Sequence, residues 1–600
     1  MAETTLPLIA PGTLDARIDD PALAAAVVAA LTRARDERWG QRLYDRDATL
    51  WSSDPAVHER VANRLGWLNL PVDFSGQITA LEAFGETTRD AGFTTAIVAG
   101  MGGSSLAPEV IARAFGDVEG WLTIRILDST DPAAVAAAWD GLDPLATLFI
   151  VGSKSGTTTE TLAFQADAWD RIHDALRANG ARLKSPGEFM VAVTDPGRSL
   201  AAIPHQDEMR GVFLNPESVG GRYSALSYVG LLPASLAGVD LDPFLASAVE
   251  MRARCLASDP AGNPGVALGV TLGALATVGR DKLTLVLDPA ISPLGAWLEQ
   301  LIAESTGKLG TGIVPVDSEP PGAPGAYGRD RVFVRIALEG SPPPAPAADG
   351  GSVDALLETL AAAGHPVLHF ALADPIDLAG EFLRWEVATA VAGIVLGVNP
   401  FDEPNVTESK EKTQRVLEEL EHRGASPRQT PLASDAGLVL YGDTALRLTA
   451  GNGTLVDELG RHLERVRRGG YLAICAFIAP TPGRAEAINR IRARLRDATG
   501  IATTAGFGPR FLHSTGQLHK GGPATGWFLQ LTSDHPADRP VPGRPYTFGQ
   551  LIDAQARGDL EALEAHDLPV LRVQMGADVD AGLAALEAAL AAALAAPFRQ

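Results

Sequence analysis

An α/β protein made of three successive units, each a parallel-rich sheet flanked by helices, is what the sequence predicts. Three observations carry that expectation. Short apolar runs alternate with helical stretches along most of the chain, the pattern that strand-crossover-strand units leave in a sequence. Runs such as Leu148-Phe-Ile-Val151 are apolar throughout rather than at every second position, which marks strands covered on both faces. At 600 residues the chain also exceeds what one hydrophobic core supports, so several domains are expected.

Taken in order, residues 15–65 carry Ala, Leu, Val and Trp at helical spacing among charges, and residues 1–60 are read as an N-terminal helical arm. The first unit, 61–242, has candidate strands at 94–99, 123–127, 148–151, 190–193 and 212–214. The second, 243–425, has them at 283–287, 312–316, 332–336 and 367–372, with a long helix at 379–397 where Phe382, Trp385, Ala388 and Val391 recur. Within it, residues 339–351 (EGSPPPAPAADGG) are too rich in Pro, Ala and Gly to form a core and are expected to be a surface loop. The third, 426–600, has strands at 438–441, 472–478, 527–531 and 570–573 and a closing helix at 579–596.

Composition narrows the function. A formal charge of −23 argues against nucleic acid, whose phosphates are bound by clustered Lys and Arg, so an acidic metabolite would have to be held by local donors. No apolar run is long enough to span a bilayer, so no membrane partner is expected. The N-terminus lacks the basic start and apolar stretch of a secretory signal. Two cysteines, Cys255 and Cys475, make neither a disulfide framework nor a thiolate metal cluster. The expected compartment is cytoplasmic.

The strongest chemical signal is Ser153-Lys-Ser155-Gly-Thr157-Thr-Thr-Glu-Thr161, with six hydroxyls in nine residues, one glycine after the apolar run 148–151. A helix starting there would aim free N–H groups and its positive end at the loop, and Ser153, Ser155, Thr158 and Thr161 would add donors without bulk, which suits a phosphate. Gly102-Gly103-Ser104-Ser105 follows another strand. Alone it fits a tight turn equally well, but its glycines allow close backbone approach to a ligand. Arg222, in Gly220-Gly-Arg-Tyr-Ser224, has the planar donors that bind phosphate or steady an oxyanion.

Further along, Gln300 and Glu304 are four apart on a helix that should end at Gly307. Glu304 beside apolar neighbours suits a general base, whereas Glu299 fits an exposed helical charge equally. Lys410 falls near the second turn of a helix beginning after Pro404, and His513, Gln517, His519 and Lys520 gather in one Gly-rich segment. With 43 Arg and only seven Lys, each lysine near these motifs gains weight, because Arg serves most surface roles but cannot act as a compact, titratable ammonium. The two histidines of the 513–519 segment, with no carboxylate between them, make a poor metal site, and no metal or cofactor is expected.

In order, Gly102 to Ser105, Ser153 to Thr161, Gly220 to Ser224, Glu304-Ser-Thr-Gly-Lys308 and Asn399 to Lys410 resemble the motifs of glucose-6-phosphate isomerases. The tail resembles the isomerase portion of transaldolase/glucose-6-phosphate isomerase fusions. The resemblance implies two tandem sugar-isomerase (SIS) α/β/α sandwich domains, here with an additional C-terminal α/β region, and a glycolytic and gluconeogenic isomerase of sugar phosphates acting as monomer or homodimer. It implies that Gly103, Ser104, Ser105, Ser153, Lys154, Ser155, Thr158 and Thr161 surround the phosphate and nearby hydroxyls, and that Gln300 contacts substrate. Arg222 would stabilise the enediolate, Glu304 would move a proton between C2 and C1, and Lys410 would aid ring opening. The family's ring-opening histidine usually lies between the Glu and Lys motifs, where this chain has His365 and His369, but the best match is the later His513. That placement predicts a third domain supplying the histidine within one chain. The same motifs would serve an isomerase of another aldose phosphate, such as mannose 6-phosphate. A non-catalytic sugar-phosphate binder is disfavoured by the joint presence of Glu304, Lys410 and Arg222.

Overall fold

The computed structural model describes residues 15–595 apart from 182, 349, 424–429, 450 and 452. The expected start of the arm at 1–14, the boundary at 425/426 and the end of the last helix at 596 lie outside the described residues. Asp15–Arg17 forms β1. The first sheet follows with β2 (Thr95–Gly100), β3 (Thr123–Leu127), β4 (Thr147–Gly152), β5 (Met190–Thr194) and β6 (Gly211–Leu214), in order β3-β2-β4-β5-β6 and parallel throughout. β7 (Lys282–Leu287), β8 (Val314–Val316), β9 (Arg331–Leu338) and β10 (Val367–Leu372) make the second, ordered β1-β10-β9-β7-β8, in which only β1 is antiparallel.

The third sheet contains β11 (Ala433–Asp435), β12 (Leu438–Gly442), β13 (Tyr471–Phe477), β14 (Ala502–Phe507), β15 (Gly526–Thr532) and β16 (Val570–Met575), ordered β11-β12-β16-β15-β13-β14. β13 to β16 are parallel, and β11 and β12 form an antiparallel margin. β1, β11 and β14 are absent from the expected strands. All three lie at sheet edges, where the backbone ladder to one neighbour suffices and no apolar run is needed; Asp-Ala-Arg and Ala-Ser-Asp carry none.

Two other expectations change. The N-terminal segment is not a separate arm: β1 joins the second sheet, and helix Pro21–Asp36 buries Leu23, Ala24 and Val27 while packing on helix Pro264–Thr277. The Pro-rich insert is not wholly a surface loop either. Its Ala347 is buried and packs with Phe333, Val353 and Leu356, covering one face of the second sheet.

Topology places the chemistry. Helices Gly103–Phe115 and Thr159–Ala178 follow the neighbouring central strands β2 and β4, so both begin at the carboxyl edge of the first sheet. Helix Pro293–Thr306 comes from the second unit. Near its end Ala303, together with Val314 and Val316 of β8, shares a core with Phe511, Leu512, Leu518 and Phe528 of the third unit. A Cβ on Gly307, just past that helix, would lie 2.4 Å from the Leu518 Cα, so the two backbones touch only because glycine stands there. Gln517 closes the joint. Its amide nitrogen donates to the Gly307 carbonyl (3.0 Å) and to Asn405 Oδ1 (2.8 Å), while its oxygen accepts from the Asn405 N–H (2.8 Å).

Lys520, beside the histidine motif, is structural: its ammonium lies 2.8 Å from Asp559 Oδ1 and both side chains are buried. Removing one partner of such a pair strands the other charge, whereas removing both does not. Lys520→Met should therefore cost about 3 kcal/mol in chemical denaturation, and Lys520→Met with Asp559→Leu should recover most of it. Equal losses would refute the pairing.

Glu299 is not an exposed charge but lines a cavity of about 140 Å³ with Asp128, Ser129, Asp317 and Arg510. Burial, and then the Asp317 carboxylate, push its pKa from 4.5 up to about 8. Between those values the unfolded chain gives up the proton first, so stability falls as pH rises through this window. Glu299→Gln should match the parent's melting temperature near pH 4.5 and exceed it increasingly up to pH 8. A difference independent of pH would contradict the burial of an ionisable group here.

Candidate active site

The hydroxyl-rich loop leaves β4 at Gly152. Ser153 Oγ donates to Thr158 Oγ1 (3.0 Å), and Ser155 Oγ accepts from the Thr157 N–H (3.3 Å) and hydroxyl (3.0 Å). Thr161, in the first turn of the 20-residue helix Thr159–Ala178, has a fully buried hydroxyl with no hydrogen-bond partner. Lys154 pairs with Asp195 at the end of β5 and donates to the Glu217 carbonyl (3.3 Å). The result is a polar cradle at a helix N-terminus.

The neighbouring Gly102 to Ser105 loop is pressed against the arginine loop, since a Cβ on Gly103 would lie 2.0 Å from the Gly221 carbonyl oxygen. Ser104 is partly exposed. Ser105 is buried, and its hydroxyl donates to the Gly102 carbonyl (3.1 Å).

Arg222 is buried and saturated. Nε donates to Ser305 Oγ (2.9 Å), Nη1 to Glu304 (2.7 Å) and Glu403 (3.1 Å), and Nη2 to the carbonyls of Pro400 (2.7 Å) and Asp402 (3.0 Å). Burial pushes the Glu304 carboxyl above its ordinary value; Arg222 opposes that rise and Glu403 adds to it. Gln300 shares the face of Glu304, as the four-residue spacing requires, and its amide nitrogen donates to Glu304 Oε2 (3.1 Å) and to the His513 carbonyl (2.7 Å). Lys308 is buried, donating to the Asn399 carbonyl (2.5 Å) and Asp402 Oδ1 (2.8 Å); desolvation and Arg222 lower its pKa to about 8.

His513 lies beside this group, in the turn Arg510–His513 of the third unit. Its Nε2 is 3.0 Å from Glu160 Oε1. Glu160 also accepts from Gln555 Nε2 (2.7 Å). Burial alone would raise the Glu160 pKa, but the charge and hydrogen bond of His513, the residue's own N–H and the charge of Lys410 bring it below the usual value. Lys410 is exposed on helix Pro404–Arg423 and acts on Glu160 through that charge. His365 packs edge-on against Phe333, and His369 stands exposed on β10.

Glu304, Arg222, Gln300, His513 and the two loops thus form one connected group, with Ser155 and Lys410 exposed. Sequence reasoning passed over Glu160, although it stands inside the hydroxyl motif. Gln555 carried no local signal, because it reaches the site only through the docking of the third unit.

Over residues 52–318 the chain matches the phosphoglucose isomerase family model. It is 32% identical to the glucose-6-phosphate isomerase of Rubrobacter xylanophilus, covering 58% of this chain and 88% of that one. It is also 32% identical to the probable glucose-6-phosphate isomerase of Natronomonas pharaonis, covering 66% and 94%. A hypothetical protein of Thermus thermophilus superposes with a TM-score of 0.53 at 25% identity, covering 67% of this chain and 99% of that one. A glucose-6-phosphate isomerase of Chlamydia trachomatis, at 20% identity and a TM-score of 0.51 over 69% and 90%, shares the fold. With relatives matched over nearly their whole length at this identity, the chain belongs to the phosphoglucose isomerase family.

Proposed function

We propose that this chain interconverts glucose 6-phosphate and fructose 6-phosphate through a cis-enediol, with Glu304 as general base. The observation that carries the reading is the Gln300 amide, which ties Glu304 to the His513 turn and sits against Gly102 beside the hydroxyl cradle. Residues 61–242 and 243–425 would be the two sugar-isomerase domains and 426–600 the added one. No described helix is long and apolar enough to cross a membrane, and the reading puts the enzyme in the cytoplasm with its hexose phosphates.

In this mechanism Ser153, Ser155, Thr158 and Thr161 hold the phosphate and Gly103 and Ser104 the adjoining sugar, which fixes the reacting carbons. His513 exchanges a proton with the ring oxygen, assisted by Lys410, and the sugar opens. Glu304 then takes the C2 proton. The C–H electron pair becomes the C1–C2 double bond, the carbonyl electrons move onto O1, and Arg222 stabilises the resulting charge. Returning the proton to C1, with the O2 proton passing to O1, leaves the ketone at C2. Burial makes Glu304 a stronger base than a solvated glutamate, and Arg222 favours its ionised form.

Glu304→Gln should lower kcat by roughly 10² to 10⁴ with little change in KM, the range for loss of a general base. Near-normal turnover in a coupled assay of fructose 6-phosphate conversion would reject the role. Because Gln300 bridges Glu304 to the His513 carbonyl within one chain, the reading expects a site that needs no partner subunit. Mixing Glu304→Gln with His513→Ala, with unfolding and refolding to allow exchange, should restore no activity; recovery toward a quarter of the parental rate would mean that the histidine acts across a dimer.

A further inference from the structure

We propose that Gln555 is a positioning residue for ring opening, holding the carboxylate that orients His513; this rests on the isomerase reading above. Glu160 Oε1 receives both the His513 ring nitrogen Nε2 (3.0 Å) and the Gln555 amide nitrogen (2.7 Å). Thr130, in the loop after β3, donates its hydroxyl to the Gln555 amide oxygen (2.6 Å). All three supports are buried, with Thr130 at 0%, Gln555 at 2% and Glu160 at 7% exposure. The direction of the amide follows from the chemistry. Turned over, it would set its oxygen against a carboxylate oxygen, two acceptors in contact with no water to relieve them.

The order of donors then runs Thr130 to Gln555 to Glu160, and Glu160 accepts from His513. An ionised carboxylate only accepts, so the Nε2 proton stays on His513, and Nδ1 is the ring nitrogen left to exchange a proton with the sugar. Without Gln555, Glu160 keeps a single side-chain hydrogen bond, from His513, and the imidazole loses the anchor that fixes its approach. Thr130 belongs to the first unit and Gln555 to the third. Formation of the relay therefore requires that the third unit be docked, and proton transfer at the ring oxygen depends on that docking twice, through His513 itself and through Gln555.

Ring opening can be read in the Glu304→Gln background, where isomerisation is slowed by roughly 10² to 10⁴. Anomer exchange of glucose 6-phosphate, followed by NMR, should be about 10-fold slower in Glu304→Gln/Gln555→Leu than in Glu304→Gln, a loss of the size expected when a proton-transfer group is misplaced. Binding of glucose 6-phosphate by calorimetry should be unchanged, and Thr130→Val should slow exchange by a smaller factor. Unchanged exchange would overturn the proposal, as would losses of exchange and binding in equal measure, which would indicate structural damage only. If Gln555→Leu fails to fold, Thr130→Val decides by the same criterion. A parental enzyme inactive on both hexose phosphates would instead remove the isomerase reading itself.

Discussion

A carboxylate buried beside a guanidinium, the base of the proposed mechanism, sets the terms for the rest of this structure. Desolvation raises the affinity of Glu304 for a proton, and Arg222 lowers it. The balance is struck by geometry. Arg222 has five N–H donors, and each has a partner: two carboxylates, two backbone carbonyls and the Ser305 hydroxyl. Only part of its charge is therefore directed at Glu304, and the guanidinium also pins the 400–403 loop from which the Lys410 helix departs. A lysine, with three donors and no plane, could not hold this arrangement.

That balance extends through all three units. The helix carrying Glu304 belongs to the second, touches the first where Gln300 lies against Gly102, and touches the third where Gly307 meets Leu518. Gln517 then ties the end of that helix to Asn405 at the start of the Lys410 helix. One amide thereby sets the distance between two elements that sequence motifs alone leave independent. The third unit is thus an integral wall of the site, which explains how a histidine motif far along the chain can reach chemistry assembled from residues 100 to 410.

How much of this was legible follows the range of the interactions. Buried strands and their helices were readable because each is signalled by its own apolar run, and the edge strands β1, β11 and β14 were not, because one backbone ladder holds them. Gln300 and Glu304 could be paired from spacing alone. Ser105 could not be told from Ser104, since adjacent positions on a helix point different ways and only the inner one is spent on Gly102. The scarcity of lysine was informative in part: Lys308 and Lys410 sit at the site, whereas Lys520 is locked to Asp559. A compact ammonium is equally useful for closing a buried pair, so rarity marks where lysine is hard to replace without saying why.

Glu299 and Glu304 make the same point within one helix. Both are buried, and burial moves both pKa values upward. Five residues at 3.6 per turn separate them by about 140° around the axis, so they open onto different surroundings. Glu304 meets Arg222 and Gln300, which favour its ionised form; Glu299 meets Asp317 across a small cavity, and that negative neighbour reinforces the neutral form. Desolvation supplies reactivity only where a cation bonded directly to the carboxylate, as Arg222 is to Glu304, keeps the charged state accessible. What separates the proposed base from the bystander is therefore the partner opposite, and that partner comes from residue 222, remote in sequence and brought close by the tandem arrangement of the first two sheets.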